Sequence, residues 1–322
     1  MKKVVTIGGG TGNFVVLKGL KQYDLDLAAI VSMTDDGGSS GVLREELGVL
    51  PPGDIRQCIV ALSESDEIMQ SLMSYRFTNN GLNGHCFGNL FLSALEIVAG
   101  DFVTAISLVS QVLNVKGKII PVTTQPVWLK MELSDGTILS RERDISLYNH
   151  SLANYHGLSL YPLPIANPAA LEAITGADLI VLSPGNLYTS LAPNLLVPGI
   201  SDALKNSPAK KVMVINLVNR QDQTPGYTTG KYLSEISTFI GQDIFDYLII
   251  DNCSIPRDLS TFYSDNQLEP ITDDLVHDSR VTYASMLNPN LKKVDGELMS
   301  KNRIRHDSDL LARELMKIVD NL

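Results

Sequence analysis

Apolar and polar positions repeat along this chain in a fixed order: a short apolar run, a polar or glycine-rich loop, then apolar residues at helical spacing. Val4-Val5-Thr6-Ile7 ends in Gly8-Gly9-Gly10-Thr11-Gly12, after which Phe14, Val15, Leu17 and Leu20 mark one helix face. Leu27 to Val31 ends in a long loop that contains Asp35-Asp36-Gly37-Gly38-Ser39-Ser40-Gly41. Ala177 to Leu182, Val212 to Ile215 and Tyr247 to Ile250 are unbroken apolar runs, as expected of strands covered on both faces. They end at Ser183-Pro184-Gly185-Asn186, at Asn216 and at Asp251-Asn252. Asn167-Pro168 opens another helix, with Asn as cap and Pro in the first turn. This order predicts an α/β, Rossmann-like fold: a mostly parallel sheet with helices on both faces, as a single domain over residues 1–322.

Other stretches add detail. Ile55, Ile59 and Leu62, then Ile68 and Leu72, predict two scaffold helices that bury those side chains, with Cys58 in the core. Leu90 to Leu113 is the most apolar stretch, but Glu96, Gly100 and Asp101 interrupt it, so it predicts two buried helices and no membrane span. Alternation on either side of Asp135-Gly136 predicts a β-hairpin excursion over residues 125–145, suited to shape or partner contacts and not to chemistry. Leu158 to Pro164 reads as another strand following helix. The segment 303–322 carries Arg305-His306-Asp307-Ser308 and a final amphipathic helix capped by Asp307 or Ser308. A phosphate on Ser308 would suit that helix start, although the sequence gives no sign of modification.

Composition narrows the class. With 44% hydrophobic and 19% charged residues over 322 positions, the chain is an ordinary globular protein with enough length for a large core. A formal charge of −10 argues against broad binding to nucleic acid or anionic membranes. Cys58, Cys86 and Cys253 are far apart and form no metal or disulfide pattern. The apolar run after Met1-Lys2-Lys3 is too short for a secretory signal, so a cytoplasmic location is expected.

Candidate chemistry sits on the loops after strands. Glycines at Gly8, Gly9, Gly10 and Gly12, with Thr11, let backbone N–H groups approach a phosphate at a helix start. Gly8 and Gly10 match the first two positions of a dinucleotide fingerprint, but Asn13 stands at the third. Asp35 and Asp36 can take ribose hydroxyls, hold magnesium against a diphosphate, or close a turn, and the sequence leaves these open. Arg44 and Arg56 are the nearest cations for phosphate, or else surface ion pairs. Gly84-His85-Cys86-Phe87-Gly88-Asn89 precedes a helix expected from Leu90, making His85 a candidate contact and Asn89 a candidate cap or contact. Pro184, Gly185, Asn186 and Leu187, Asn219 and Arg305 complete a set of loops expected to converge on one crevice.

Taken together, Gly8–Gly12, Asp35–Gly41, Pro51-Pro52-Gly53-Asp54-Ile55-Arg56, Gly84-His85 with Phe87-Gly88-Asn89, Pro184-Gly185 with Leu187–Ser190, Pro193–Leu196 and Arg305-His306-Asp307 resemble the bacterial gluconeogenesis factor family (YvcK-like). That family is related to 2-phospho-L-lactate transferase. The resemblance runs nearly end to end. It implies a Rossmann-like fold and a UDP-sugar ligand such as UDP-N-acetylglucosamine, with Tyr263 and Arg305 at the sugar nucleotide. It also implies a regulator of cell shape and cell-wall synthesis during growth on gluconeogenic carbon sources, with proteins of those processes as partners. Cys86, Asn186, Ser183 and Gln223 depart from the usual pattern, which bears more on catalysis than on binding. The alternative is a magnesium-dependent transferase with metal on Asp35 and Asp36. NAD ranks last, because the third glycine and a proton-transfer pair are missing. Homo-oligomerisation is left open.

Overall fold

The computed structural model describes residues 1–148, 152, 155–252, 267–287 and 305–322; Tyr263 and Cys253 lie outside them. Seven strands form the main sheet: β1 (Lys2–Gly8), β2 (Leu25–Val31), β3 (Lys118–Pro121), β4 (Leu179–Leu182), β5 (Lys210–Val214), β6 (Tyr247–Asp251) and β7 (Val281–Ala284). Their order is β7-β6-β5-β4-β1-β2-β3, and every neighbouring pair is parallel. Thr6 in β1 lies between Ala29 of β2 and Val181 of β4. The sheet has no polar face: Val4, Ile7, Leu27, Ile30, Val181, Val212 and Leu248 are fully buried. Each such side chain contributes about 1.5–3 kcal/mol on burial, which accounts for unbroken apolar runs in place of alternation.

Strand order turns back between β1 and β4, so their outgoing chains leave to opposite faces and open a crevice at the strand C-termini. One helix layer holds α1 (Gly10–Leu20), α2 (Gly38–Leu47), α3 (Pro52–Leu62), α4 (Glu67–Ser74), α5 (Phe87–Ala99) and α6 (Phe102–Val112). The C-terminal helix, Ser308–Val319, packs on α1, where Gly19 allows close approach to the backbone of Ser308. Asp307 caps it, accepting from Asp309 N and Leu310 N at 3.0 Å each. The helices Pro168–Thr175, Ile200–Asn206 and Thr229–Ile240 form the second layer.

Four expectations need correction. The hairpin of Trp128–Leu133 and Ile138–Leu139 is present, but Tyr155–Tyr161 also pairs antiparallel with its long strand. The strand read at Leu158 to Pro164 therefore belongs to this three-stranded excursion, and not to the main sheet. In α4 the buried residue is Met73, while Ile68 is 81% exposed and Leu72 is exposed too. In α5 and α6 only one side is buried, and Ile97, Val98, Val103, Leu108 and Val112 face outward. Helix α5 starts at Phe87, not Leu90, so Asn89 lies inside its first turn and Cys86 is the cap position. The edge strands β3 and β7 were not read from the sequence, because a short, half-covered edge strand lacks a long apolar run.

Candidate functional site

The crevice at the β1–β4 switch point contains a cavity of about 310 Å³, near the lower size of small-molecule sites. Its walls include Gly10, Thr11 and Gly12, Pro184 to Leu187 and Ser190, Asn216 to Val218, and Arg305 with His306. Thus loops separated by up to 296 positions, from Gly10 to His306, meet there, as strand C-termini in an open α/β sheet require.

Close packing explains the glycines. A Cβ on Gly12 would overlap the carbonyl oxygen of Pro184, and one on Gly10 would lie 2.6 Å from Asp54 Oδ1. Gly8 and Gly9 are likewise pressed against Ser183 and Ser190, behind the cavity wall. Asn13 does not face the cavity: it is fully buried, donates to Ile30 O at 3.2 Å and accepts from Ser183 Oγ at 2.7 Å. Its amide ties α1 to β2 and to the residue after β4 at the switch point, which is a positioning task in place of a ligand contact. The Pro184 loop is fixed in turn by Asn216, which accepts from Gly185 N and donates to Gly185 O, both at 2.8 Å. Asn186 Oδ1 accepts from Tyr188 N and Thr189 N, and its amide nitrogen donates to Gln223. Two of the departures from the family pattern therefore touch each other. Asn219 is buried, donates to Tyr227 O at 2.8 Å and does not line the cavity.

The aspartate pair is divided. Asp36 is 5% exposed and its Oδ1 accepts from Arg143 N at 2.7 Å, anchoring the short helix Glu142–Ser146 of the excursion. Asp35 instead accepts from Gly37 N at 3.1 Å and bonds Ser40, whose hydroxyl also takes the N–H of Gly53 at 3.1 Å. Burial raises Asp35, and it couples electrostatically to Asp54 and Glu142. Asp54, which accepts from Gly10 N, is pushed up to about 8, first by burial and then by Asp35. Glu142 is pushed up to about 7 by the same two causes, and it accepts from Ser146 Oγ at 2.6 Å. The acidic group is thus Asp35, Asp54 and Glu142, with Asp36 holding one of them in place.

Sequence reasoning missed two members of this group. Asp54 was hidden as a helix N-terminal residue after Pro51-Pro52-Gly53, although its place in that turn was a readable signal. Glu142 lies in the excursion, where no chemistry was expected; only the anchoring of its helix by Asp36 brings it in. His306 was also passed over. It is 5% exposed, lines the cavity, and is lowered to about 4 by burial, so it is neutral near pH 7.

The cations differ from expectation as well. Arg44 is no surface ion pair: it donates to Asp35 O at 3.0 Å and Val127 O at 2.8 Å, and stacks over Trp128 at 4.9 Å. Arg56 is 3% exposed and donates through Nε to Asn89 Oδ1 at 2.8 Å, which gives Asn89 a guanidinium to hold in place of a helix to cap. Arg56 also feels the charges of Asp54 and Asp35, so it borders the acidic group. His85 Nδ1 meets Ser39 Oγ at 3.2 Å, and that hydroxyl also takes Cys86 N at 3.4 Å, linking the starts of α2 and α5. Of the expected residues, Gly10–Gly12, Pro184–Leu187 and Arg305 line the cavity, Asp35 belongs to an acidic set that meets the cavity at Asp54, and Asn13, His85, Asn89 and Asn219 belong to neither.

The 2-phospho-L-lactate transferase CofD family model matches residues 4–290. The chain is 42% identical over 274 residues to the gluconeogenesis factor of Halalkalibacterium halodurans, covering 85% of this chain and 84% of that one. It is 38% identical over 322 residues to the gluconeogenesis factor of Bacillus subtilis, covering 99% and 96%. The chain belongs to the CofD family, in its gluconeogenesis factor group. A crystal structure of a UPF0052 family member from Bacillus halodurans superposes with a TM-score of 0.89 at 36% identity, over 98% of this chain and all of that one. The α/β fold of this CofD family member is therefore that of a solved relative. Among its described residues, no helix is long and apolar enough to cross a membrane.

Proposed function

We propose that the chain is a cytoplasmic regulator that binds a nucleoside diphosphate sugar of the UDP-N-acetylglucosamine type, and that it links that ligand to cell-shape and cell-wall proteins. The observation that carries the ligand assignment is the cavity at the switch point, whose wall holds both Gly10–Gly12 at a helix start and Arg305. Backbone N–H groups and a helix dipole suit a diphosphate, and so does an arginine in the same wall. No basic surface is needed, which agrees with the net charge of −10. The cell-wall role rests on family resemblance alone. Titration calorimetry with UDP-N-acetylglucosamine tests the ligand: saturable heat is expected, weakened at least tenfold, about 1.4 kcal/mol, by Arg305→Glu. Heats that do not saturate would sink the reading.

A second reading, a magnesium-dependent transferase, is favoured by the crowding of Asp35, Asp54 and Glu142. Three carboxyls held near one another and raised in pKa are what a divalent cation would relieve. Among the described residues no group of three or more His, Cys, Asp or Glu side chains is placed to hold a metal ion by itself. A magnesium ion shared with ligand phosphates needs only one or two of these carboxylates. Such an ion would neutralise charge on a leaving phosphate. In that reading Asp35 and Asp54 hold the ion, Glu142 borders it, and Arg56 offsets their charge. Release of nucleotide from a UDP-linked donor, dependent on magnesium and lost in Asp35→Asn, would select the enzyme; tight binding with the donor recovered intact would select the regulator.

A further inference from the structure

Two residues in the wall of the crevice cavity each carry a polar atom that has no hydrogen-bond partner among the described residues: Gln223 at Nε2 and His306 at Nε2. Gln223 is 2% exposed and His306 5%, so neither atom is left to bulk water. A buried donor or acceptor without a partner costs free energy, and a ligand that supplies the missing bond recovers it.

Neighbouring bonds fix the hydrogen-bonding character of both atoms. Asn186 Oδ1 accepts from Tyr188 N at 3.2 Å and from Thr189 N at 3.3 Å, so the other end of that amide is its NH2 group. This group donates to Gln223 Oε1. Gln223 is left with its own NH2, which can only donate. The turn that carries it is held too, since Gln223 N donates to Arg220 O at 3.0 Å. Burial lowers the His306 imidazole to about 4, while a hydrogen bond to the backbone of Ile215, the residue after β5, acts the other way. A bond that favours the charged ring is one in which the ring donates, to the Ile215 carbonyl. With Nε2 unpartnered, the donor is Nδ1. Near pH 7 the neutral ring has its one proton there, and Nε2 can only accept.

A ligand has to match this order. A phosphate oxygen is itself an acceptor and gains nothing from the lone pair of His306, so the anionic part belongs with the N–H groups of Gly10–Gly12. A hydroxyl turns to suit either atom and supplies no selectivity. An amide has the fixed complement: its C=O suits Gln223 and its N–H suits His306.

We infer that Gln223 and His306 determine specificity by receiving an amide of the ligand, its C=O at Gln223 Nε2 and its N–H at His306 Nε2. The inference rests on the nucleoside diphosphate sugar reading above. Such a ligand carries the chemistry in two places, the imide of a uracil base and the acetamido group of an N-acetylated sugar. Cytosine has the reverse order, with an amino donor in place of C=O and a bare ring nitrogen in place of N–H.

Titration calorimetry of the full chain with UDP-N-acetylglucosamine, UDP-glucose and CDP-glucose tests this on wild type, Gln223→Glu and His306→Phe. Gln223→Glu still accepts from Asn186 but turns the donor into an acceptor, and His306→Phe keeps a ring without the acceptor. In both variants one of two affinity ratios is expected to fall at least about tenfold. A fall in UDP-glucose over CDP-glucose assigns the pair to the base imide. A fall in UDP-N-acetylglucosamine over UDP-glucose assigns it to the acetamido group. A purely structural change, or the added charge of glutamate, weakens all three ligands together and leaves both ratios alone. Where either variant does not fold, the uncharged Gln223→Met reads the same ratios. Wild-type binding with both ratios unchanged in the folded variants would overturn this inference and leave the ligand reading standing. No saturable heat from wild type with any of the three would remove the ligand reading and this inference with it.

Discussion

Gly12 and the carbonyl oxygen of Pro184 occupy adjoining space with no room for a methyl group between them. The contact joins the first glycine loop to the loop after β4 and so closes one end of the crevice. Gly12→Ala is expected to cost about 3 kcal/mol through forced separation of the two loops. Urea unfolding followed by circular dichroism checks it; a midpoint within error of wild type would mean that the loops part freely.

Asp54 keeps its proton up to about pH 8 in the folded chain, whereas in the unfolded chain it loses it near 3.8. Between those values the unfolded state binds fewer protons, so this group's contribution to stability is full below about pH 4 and falls as pH rises towards 8. Asp54→Asn keeps an acceptor for Gly10 N and removes the titration. The melting temperature of the variant should exceed that of wild type at pH 8 and converge with it at pH 4 to 5. Parallel profiles would show that Asp54 ionises freely in the fold.

Trp128 is the single tryptophan, and Arg44 lies on its ring while holding Asp35 O. Its fluorescence should therefore report on the loop that carries Asp35. Addition of the nucleotide sugar or magnesium is expected to shift the emission, and Arg44→Lys, which loses both the planar stack and the second carbonyl bond, should abolish most of that response. An equal response in the variant would disconnect the loop from the ring.

Asn89 is the acceptor for the buried guanidinium of Arg56. Asn89→Ala leaves that charge short of a partner and is expected to destabilise the chain by about 1.5–3 kcal/mol. Asn89→Asp should recover much of this, since a carboxylate accepts the same bond. Differential scanning calorimetry on the three proteins distinguishes this from loss of a helix cap, which aspartate and alanine would affect differently at low pH, where the rescue should vanish.

The sequence by itself determined the five central strands of the sheet and the edge on which the site lies. Runs such as Leu27–Val31 and Leu179–Leu182 have no polar alternation, which only strands covered on both faces tolerate, and the loops after them carry the glycines and aspartates. Tertiary structure decided what each polar residue does, because a side chain's partner is set by where its neighbours cross in space. Asn13 and Asn89 read as ligand or cap candidates, yet they serve Ser183 and Arg56, residues distant in sequence. Asp35 and Asp36 are adjacent, but backbone direction turns one towards Asp54 and the other to Arg143 N. Glu142 had no local signal at all, since its environment exists only once the excursion folds back over the loop. The same holds for α5 and α6: apolar content marked them as helices to be buried, but one layer on one sheet covers only one side of each.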